Sequence, residues 1–300
     1  MAGQLAEIAA PGYLARIGKG NWRMDDLVST AWLAEYLREG DLVIVDSTTF
    51  MPGSGRDARA EYVETHIPGA RFLDINELSD HSAATPHMLP PADQFGAAMQ
   101  ELGIARGDRI VVYDNSPLRT AARGWFMLRH FGAERVAILD GGLAKWIAEG
   151  RPIESGKPRP REARFDAKPR PGEVVAKADI RSGLGVPLID ARGRARFEGS
   201  EPDPRAGVAA GHVPGSRNLP FATLYNDDGT FRREEELRAA FVAAGADPER
   251  PFVASCGSGV TANSLIFAAH LLGNRDARLY DGSWSEWGAD PDTPKDVGSS

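Results

Sequence analysis

His66-Ile67-Pro68-Gly69-Ala70-Arg71 comes back as His212-Val213-Pro214-Gly215-Ser216-Arg217 in a chain of 300 residues. Two further blocks return around it in the same order. Upstream, Leu42-Val43-Ile44-Val45-Asp46 matches Pro187-Leu188-Ile189-Asp190. Downstream, Asp140-Gly141-Gly142-Leu143-Ala144-Lys145-Trp146 matches Asp281-Gly282-Ser283-Trp284-Ser285-Glu286-Trp287. The offsets are nearly constant, from 66 to 212, from 46 to 190 and from 140 to 281. Three matched blocks at one spacing signal a duplicated domain, and the length suits two domains of roughly 150 residues each. The repeat places a first domain at 24–150, a Pro/Arg-rich join at 151–176 and a second domain at 177–300. The join carries Pro152, Pro158, Pro160, Pro169 and Pro171 without apolar periodicity. That suits either an extended, semi-rigid tether or a linker docked on one domain.

Within each half, short Val/Ile-rich runs alternate with helical patterns. Leu42–Asp46, 109–114 and 251–255 read as buried strands, and 93–102, 120–131 and 261–272 carry apolar residues at helical spacing. Alternation of this kind gives an α/β fold, each half a mainly parallel sheet flanked by helices. Ligands of such sheets bind at the carboxyl ends of the strands, where Cys256 stands.

Composition narrows the function. Apolar residues make up 42% of the chain and the net charge is −7, which argues for a globular protein and against nucleic-acid binding. No run of about 18 apolar residues is present, so no membrane span is expected. One cysteine excludes an internal disulfide and a Cys-rich metal site. A lone thiol suits a reducing compartment, and residues 1–23 do not read as a signal peptide; the cytoplasm is the expected location.

A single cysteine is more often an inert, buried small hydrophobe than a nucleophile. Its context reverses that reading. Cys256-Gly257-Ser258-Gly259-Val260-Thr261 follows a strand and opens a helix. The two glycines let successive N–H groups converge as an anion nest, with the positive end of the helix behind them. Such a setting lowers a thiol pKa from about 8.5 into the range of roughly 3.5–7.5 and holds a persulfide anion equally well. Aligning the repeats puts Asp114 where the second half has Cys256, followed by Asn115-Ser116-Pro117 in place of the glycine loop. The first half is therefore expected to be catalytically silent and to form one wall of the cleft.

These blocks, the CGSGVTA loop and the DGSWSEW ending resemble the tandem rhodanese-domain sulfurtransferases from about Leu27 to Ala289. The resemblance implies a Cys256 persulfide and substrate contacts from Gly257, Gly259, Val260 and Thr261. Thiosulfate-specific members carry basic residues where this chain has Gly257 and Ser258. The loop looks more like that of the 3-mercaptopyruvate sulfurtransferases, whose donor needs a carboxylate clamp. Arginine suits that clamp through its planar fork. The family positions fall on Arg196, in Arg196-Phe197, and on Arg205, in Glu201-Pro202-Asp203-Pro204-Arg205. Arginine is ordinarily a solvated surface residue, and Arg192 and Arg194 keep that reading. The resemblance also implies a proton relay of Ser258 and His87, with Asn76 standing where an acid is usual. An asparagine accepts from an imidazole N–H but does not stabilise an imidazolium. His66 and His212 read as turn caps, and Asp46 and Asp190 as structural strand ends.

The implied partners are a small sulfur donor and an acceptor such as thioredoxin, a small thiol or cyanide, with no nucleic acid or membrane. A thiosulfate donor is the nearest alternative, and a non-enzymatic persulfide carrier is one of another class. A cysteine phosphatase needs an arginine closing the loop; Ala262 stands there.

Overall fold

A computed structural model describes residues 24–299. The first sheet holds β1 (Leu27–Val28), β2 (Leu42–Asp46), β3 (Arg71–Phe72), β4 (Arg109–Tyr113) and β5 (Arg135–Leu139), in the order β1-β5-β4-β2-β3. The second holds β6 (Val174–Val175), β7 (Leu188–Asp190), β8 (Arg217–Asn218), β9 (Val253–Ser255) and β10 (Arg278–Tyr280), in the order β6-β10-β9-β7-β8. Every pairing is parallel. The two orders are the same strand for strand, so the duplication read from the sequence is a duplication of topology.

The central strands are buried on both faces, which is why they read as unbroken apolar runs rather than alternating ones. All five residues of β4 are buried, as are all three of β9. Helices Ala121–His130 and Ala262–Leu271 follow these strands and are buried almost all round. They pack on each other across the domain boundary, where the Trp125 and Phe267 rings meet edge to face at 4.8 Å. One apolar cluster consequently runs from Val45 and Ile110 in the first domain to Phe252 and Leu279 in the second.

The join is a docked linker. Phe165 is buried against Phe95, Arg161 pairs with Asp108, and Gly96 lies so close to the Phe165 carbonyl that a Cβ there would sit 2.9 Å away. β6 falls inside the stretch that the sequence assigns to the linker, since Val174–Val175 pairs with β10. The four two-residue strands, β1, β3, β6 and β8, are too short for periodicity to reveal them. The expectation for residues 1–23 lies outside the described residues.

Candidate active site

Cys256 leaves the end of β9 and is 1% exposed. The loop behind it is held from the DGSWSEW segment. Ser283 Oγ accepts from the N–H groups of Cys256 at 3.0 Å and Gly259 at 3.1 Å. Trp284 N donates to the Cys256 carbonyl and Ser285 N to that of Gly257. The nest expected from the sequence is thus altered: two of its N–H groups meet a serine hydroxyl, which itself lies 4.0 Å from Cys256 Sγ. Gly259 has φ +74°, and a Cβ there would lie 2.5 Å from the Asp281 carbonyl; only glycine fits. Thr261 forms the N-terminal boundary of helix Ala262–Leu271, and Val260 is buried beside it.

Arg196 and Arg205 reach the same loop. A Cβ on Gly257 would lie 3.4 Å from Arg196 Nη2 and 3.3 Å from Arg205 Nη1. The small residue therefore leaves room for two guanidinium groups over the backbone. Asp203 holds them, accepting from Arg196 Nη2 at 2.6 Å and Arg205 Nη1 at 3.3 Å. Burial raises its carboxyl pKa, but the hydrogen bonds from Arg205 N and the Arg196 side chain, with the two cationic charges, outweigh it and hold the group below its ordinary value. Two arginines against one carboxylate leave a net positive charge facing the loop. Arg196 Nε is buried without a hydrogen-bond partner among the described residues.

Ser258 carries the link to the first domain. Its Oγ lies 2.9 Å from His87 Nδ1 and accepts from Arg205 Nη2 at 3.1 Å. His87 Nε2 faces Asn76 Oδ1 at 3.1 Å, which also accepts from Thr49 Oγ1. With Asn76 Oδ1 as acceptor, the ring proton sits on Nε2 and leaves Nδ1 to accept from Ser258. Burial, with the Arg123 and Arg205 charges, pushes the His87 pKa from 6.5 down to about 4. The imidazole is neutral at physiological pH.

The other histidines have structural partners. His66 Nδ1 meets the Tyr62 carbonyl and His212 Nδ1 that of Phe197, each tying a helix end to its duplicated block. Arg192 corrects the sequence expectation of a surface charge. It is buried, bound bidentately to Asp190, and lies over the Trp284 ring. Three further residues escape sequence reasoning: Ser283, Asp203 and Arg123. Ser283 lies in a repeated block, and its first-half counterpart is Gly142. Both have positive φ, a constraint that signals itself only through the Gly/Ser exchange.

The first domain has the same architecture with Asp114 in place of the cysteine. Asp114 accepts from Ser116 N and Ala121 N, so its carboxylate occupies the start of helix Ala121–His130. Hairpin 225–231 of the second domain covers it, with Phe231 N donating to Asp140.

The rhodanese-like domain family matches residues 29–149 and 175–290. The chain is 41% identical over 270 residues to 3-mercaptopyruvate sulfurtransferase of Homo sapiens, covering 87% of this chain and 91% of that one. It is 40% identical over 286 residues to thiosulfate sulfurtransferase of Rattus norvegicus, covering 91% and 96%. The crystal structure of the 3-mercaptopyruvate sulfotransferase SseA from Escherichia coli superposes with a TM-score of 0.80 at 39% identity, covering 88% of this chain and all of that one. Two family matches fall on two sheets of identical strand order, and the chain belongs to the rhodanese family as a tandem, two-domain member.

Proposed function

We propose that the protein is a sulfurtransferase that takes sulfur from 3-mercaptopyruvate onto Cys256 and passes it to a thiol. The observation that carries this reading is the pair Arg196 and Arg205 over Gly257, a carboxylate clamp beside a loop with no basic residue. The Cys256 thiolate attacks the donor sulfur, an S–S bond forms, and the C–S pair departs to the keto group as the pyruvate enolate. The proton lost from the donor thiol is the one the enolate carbon gains. Neutral His87 and the Ser258 hydroxyl shuttle it. Arg205, bound to Ser258 Oγ, faces the oxygen on which enolate charge develops.

Asn76 fixes the His87 tautomer without adding negative charge, so the ring works as a neutral acceptor rather than as one half of an ion pair. In the second half-reaction an acceptor thiolate attacks the outer sulfur and Cys256 leaves as thiolate, giving ping-pong kinetics. Thioredoxin, a small thiol or cyanide fits that chemistry. No metal or organic cofactor enters, and the cytoplasm, where such thiols are reduced, is the proposed setting.

Thiosulfate is the second reading, supported by the 40% identity to a thiosulfate sulfurtransferase. The test is pyruvate release from 3-mercaptopyruvate and sulfite release from thiosulfate, with Cys256→Ser beside the parent. Mercaptopyruvate turnover at least tenfold above thiosulfate, abolished in the variant, is expected. A thiosulfate preference would overturn the donor assignment. Turnover of neither would favour a carrier loaded by a protein partner.

A further inference from the structure

Arg123 belongs to the first domain, on helix Ala121–His130, yet one of its terminal nitrogens bonds to the catalytic loop and the other to the segment that carries His87. Nη1 donates to Asp281 Oδ1 at 2.7 Å and to the Gly259 carbonyl at 3.0 Å, and Nη2 donates to the His87 carbonyl at 2.6 Å. Asp281 Oδ2 in turn accepts from Leu89 N at 2.6 Å. The ion pair therefore grips the three-residue segment 87–89 at its first carbonyl and its last N–H, and ties that segment to the loop of Cys256. Arg123 and Asp281 are 1% and 2% exposed at their side chains.

His87 needs such a grip. Its backbone has φ +63°, a left-handed conformation that a non-glycine residue holds only when its surroundings enforce it. The duplication supplies a comparison within one molecule. Asp140, the counterpart of Asp281, likewise accepts from a crossing segment, at Phe231 N. No arginine pairs with Asp140 among the described residues, and the segment it receives carries no imidazole. The arginine is found only where the crossing segment brings a histidine to a cysteine loop.

We infer that Arg123, through its pair with Asp281, is a positioning residue of the sulfur-transfer reaction, holding His87 in register with Ser258. The inference rests on the proposed Ser258–His87 relay. Lysine at 123 keeps the charge but lacks the planar fork that meets three acceptors at once. Asp281→Asn keeps an acceptor for Leu89 and weakens the pair, giving a milder variant should Arg123→Lys fold poorly.

The experiment measures steady-state pyruvate formation by the full chain carrying Arg123→Lys, His87→Ala and both, with Asp281→Asn in parallel and a thermal melt for each. Arg123→Lys is expected to lower kcat about 10- to 100-fold, the size of effect that a displacement of about 1 Å produces. KM for 3-mercaptopyruvate should stay within about twofold, because the Arg196–Arg205 clamp is untouched. In the His87→Ala background the same change should add less than about a further twofold, since the residue it positions is gone. Unchanged kcat in a folded Arg123→Lys, with His87→Ala impaired, would overturn the inference and leave the relay standing. An equal loss in both backgrounds would mean that Arg123 acts on the loop alone, and would overturn it as well. Full activity in His87→Ala would remove the relay and the inference together.

Discussion

Asp114 and Cys256 stand at the same point of two copies of one motif, and the proposed chemistry belongs to the copy with the thiol. Asp114 turns its carboxylate onto its own helix start, satisfying Ser116 N and Ala121 N. Cys256 leaves the corresponding region to be organised by Ser283, Arg196 and Arg205. At this scale the pH behaviour of His87 is specific. Its folded pKa, about 4, lies below its ordinary 6.5, so the unfolded chain binds the proton more readily. The stability associated with the neutral ring is present above pH 6.5 and is lost as pH falls through about 4, by about 3 kcal/mol at most. His87→Gln is expected to flatten the pH dependence of urea-unfolding free energy between pH 7 and 4.5; an unaltered slope would show that other groups carry it. Cys256, Gly257 and Gly259 stand out in the sequence because a glycine loop between a strand and a helix suggests an anion nest, although Ser283 Oγ takes two of its N–H groups; the role of Ser258 comes through resemblance. Arg196, Arg205, His87 and Asn76 came only through resemblance, since nothing in their local sequence says what they face. Asp203 stands inside the Glu201–Arg205 motif and binds Arg205 two residues on and Arg196 seven residues back, but nothing in the motif says that it joins them. Arg123 gives no local signal, because its partners lie in the second domain and in segment 87–89.

Burial alone does not make an element legible: β5 is buried at four of its five residues and is not among the strands read from the sequence, whereas helix Ala92–Glu101 is read from its spacing with three buried residues. β2, β4 and β9 and the helices after β4 and β9 announce themselves through apolar runs, whereas the two-residue edge strands exist only because a neighbouring strand offers them partners. The irregular segments that cross between domains are equally silent in sequence, yet they complete both sites: 87–89 over the cysteine loop and 225–231 over the aspartate loop. The second crossing is strained electrostatically. Burial first, with the nearby Asp228 charge adding to it, raises the Asp140 pKa from 3.8 to about 6, against the hydrogen bond from Phe231 N and the Lys145 charge. A carboxyl raised in the folded state contributes its full stability below pH 3.8 and loses it as pH rises through about 6. Asp140→Asn keeps an acceptor for Phe231 N and abolishes that loss. The variant is expected to be more stable than the parent by about 1–3 kcal/mol at pH 8 and nearly equal at pH 4. Denaturant unfolding at the two pH values measures it, and equal effects at both would show that the charge at 140 is already relieved by Lys145.

For the whole molecule, the apolar cluster joining the two sheets matters more than the linker that joins them in sequence. Trp125 and Phe267 meet at its centre, so neither domain retains its surroundings when the other unfolds. Calorimetry on the full chain is expected to give one transition whose calorimetric and van't Hoff enthalpies agree. Two resolved transitions would mean that the halves are thermally independent. The reciprocal crossings carry a further meaning. Leu89 N reaches Asp281 while Phe231 N reaches Asp140, each half lending a strip of backbone to the other. Neither aspartate is therefore fully satisfied within its own half, and a half expressed alone would lose the backbone donor that the other half lends it.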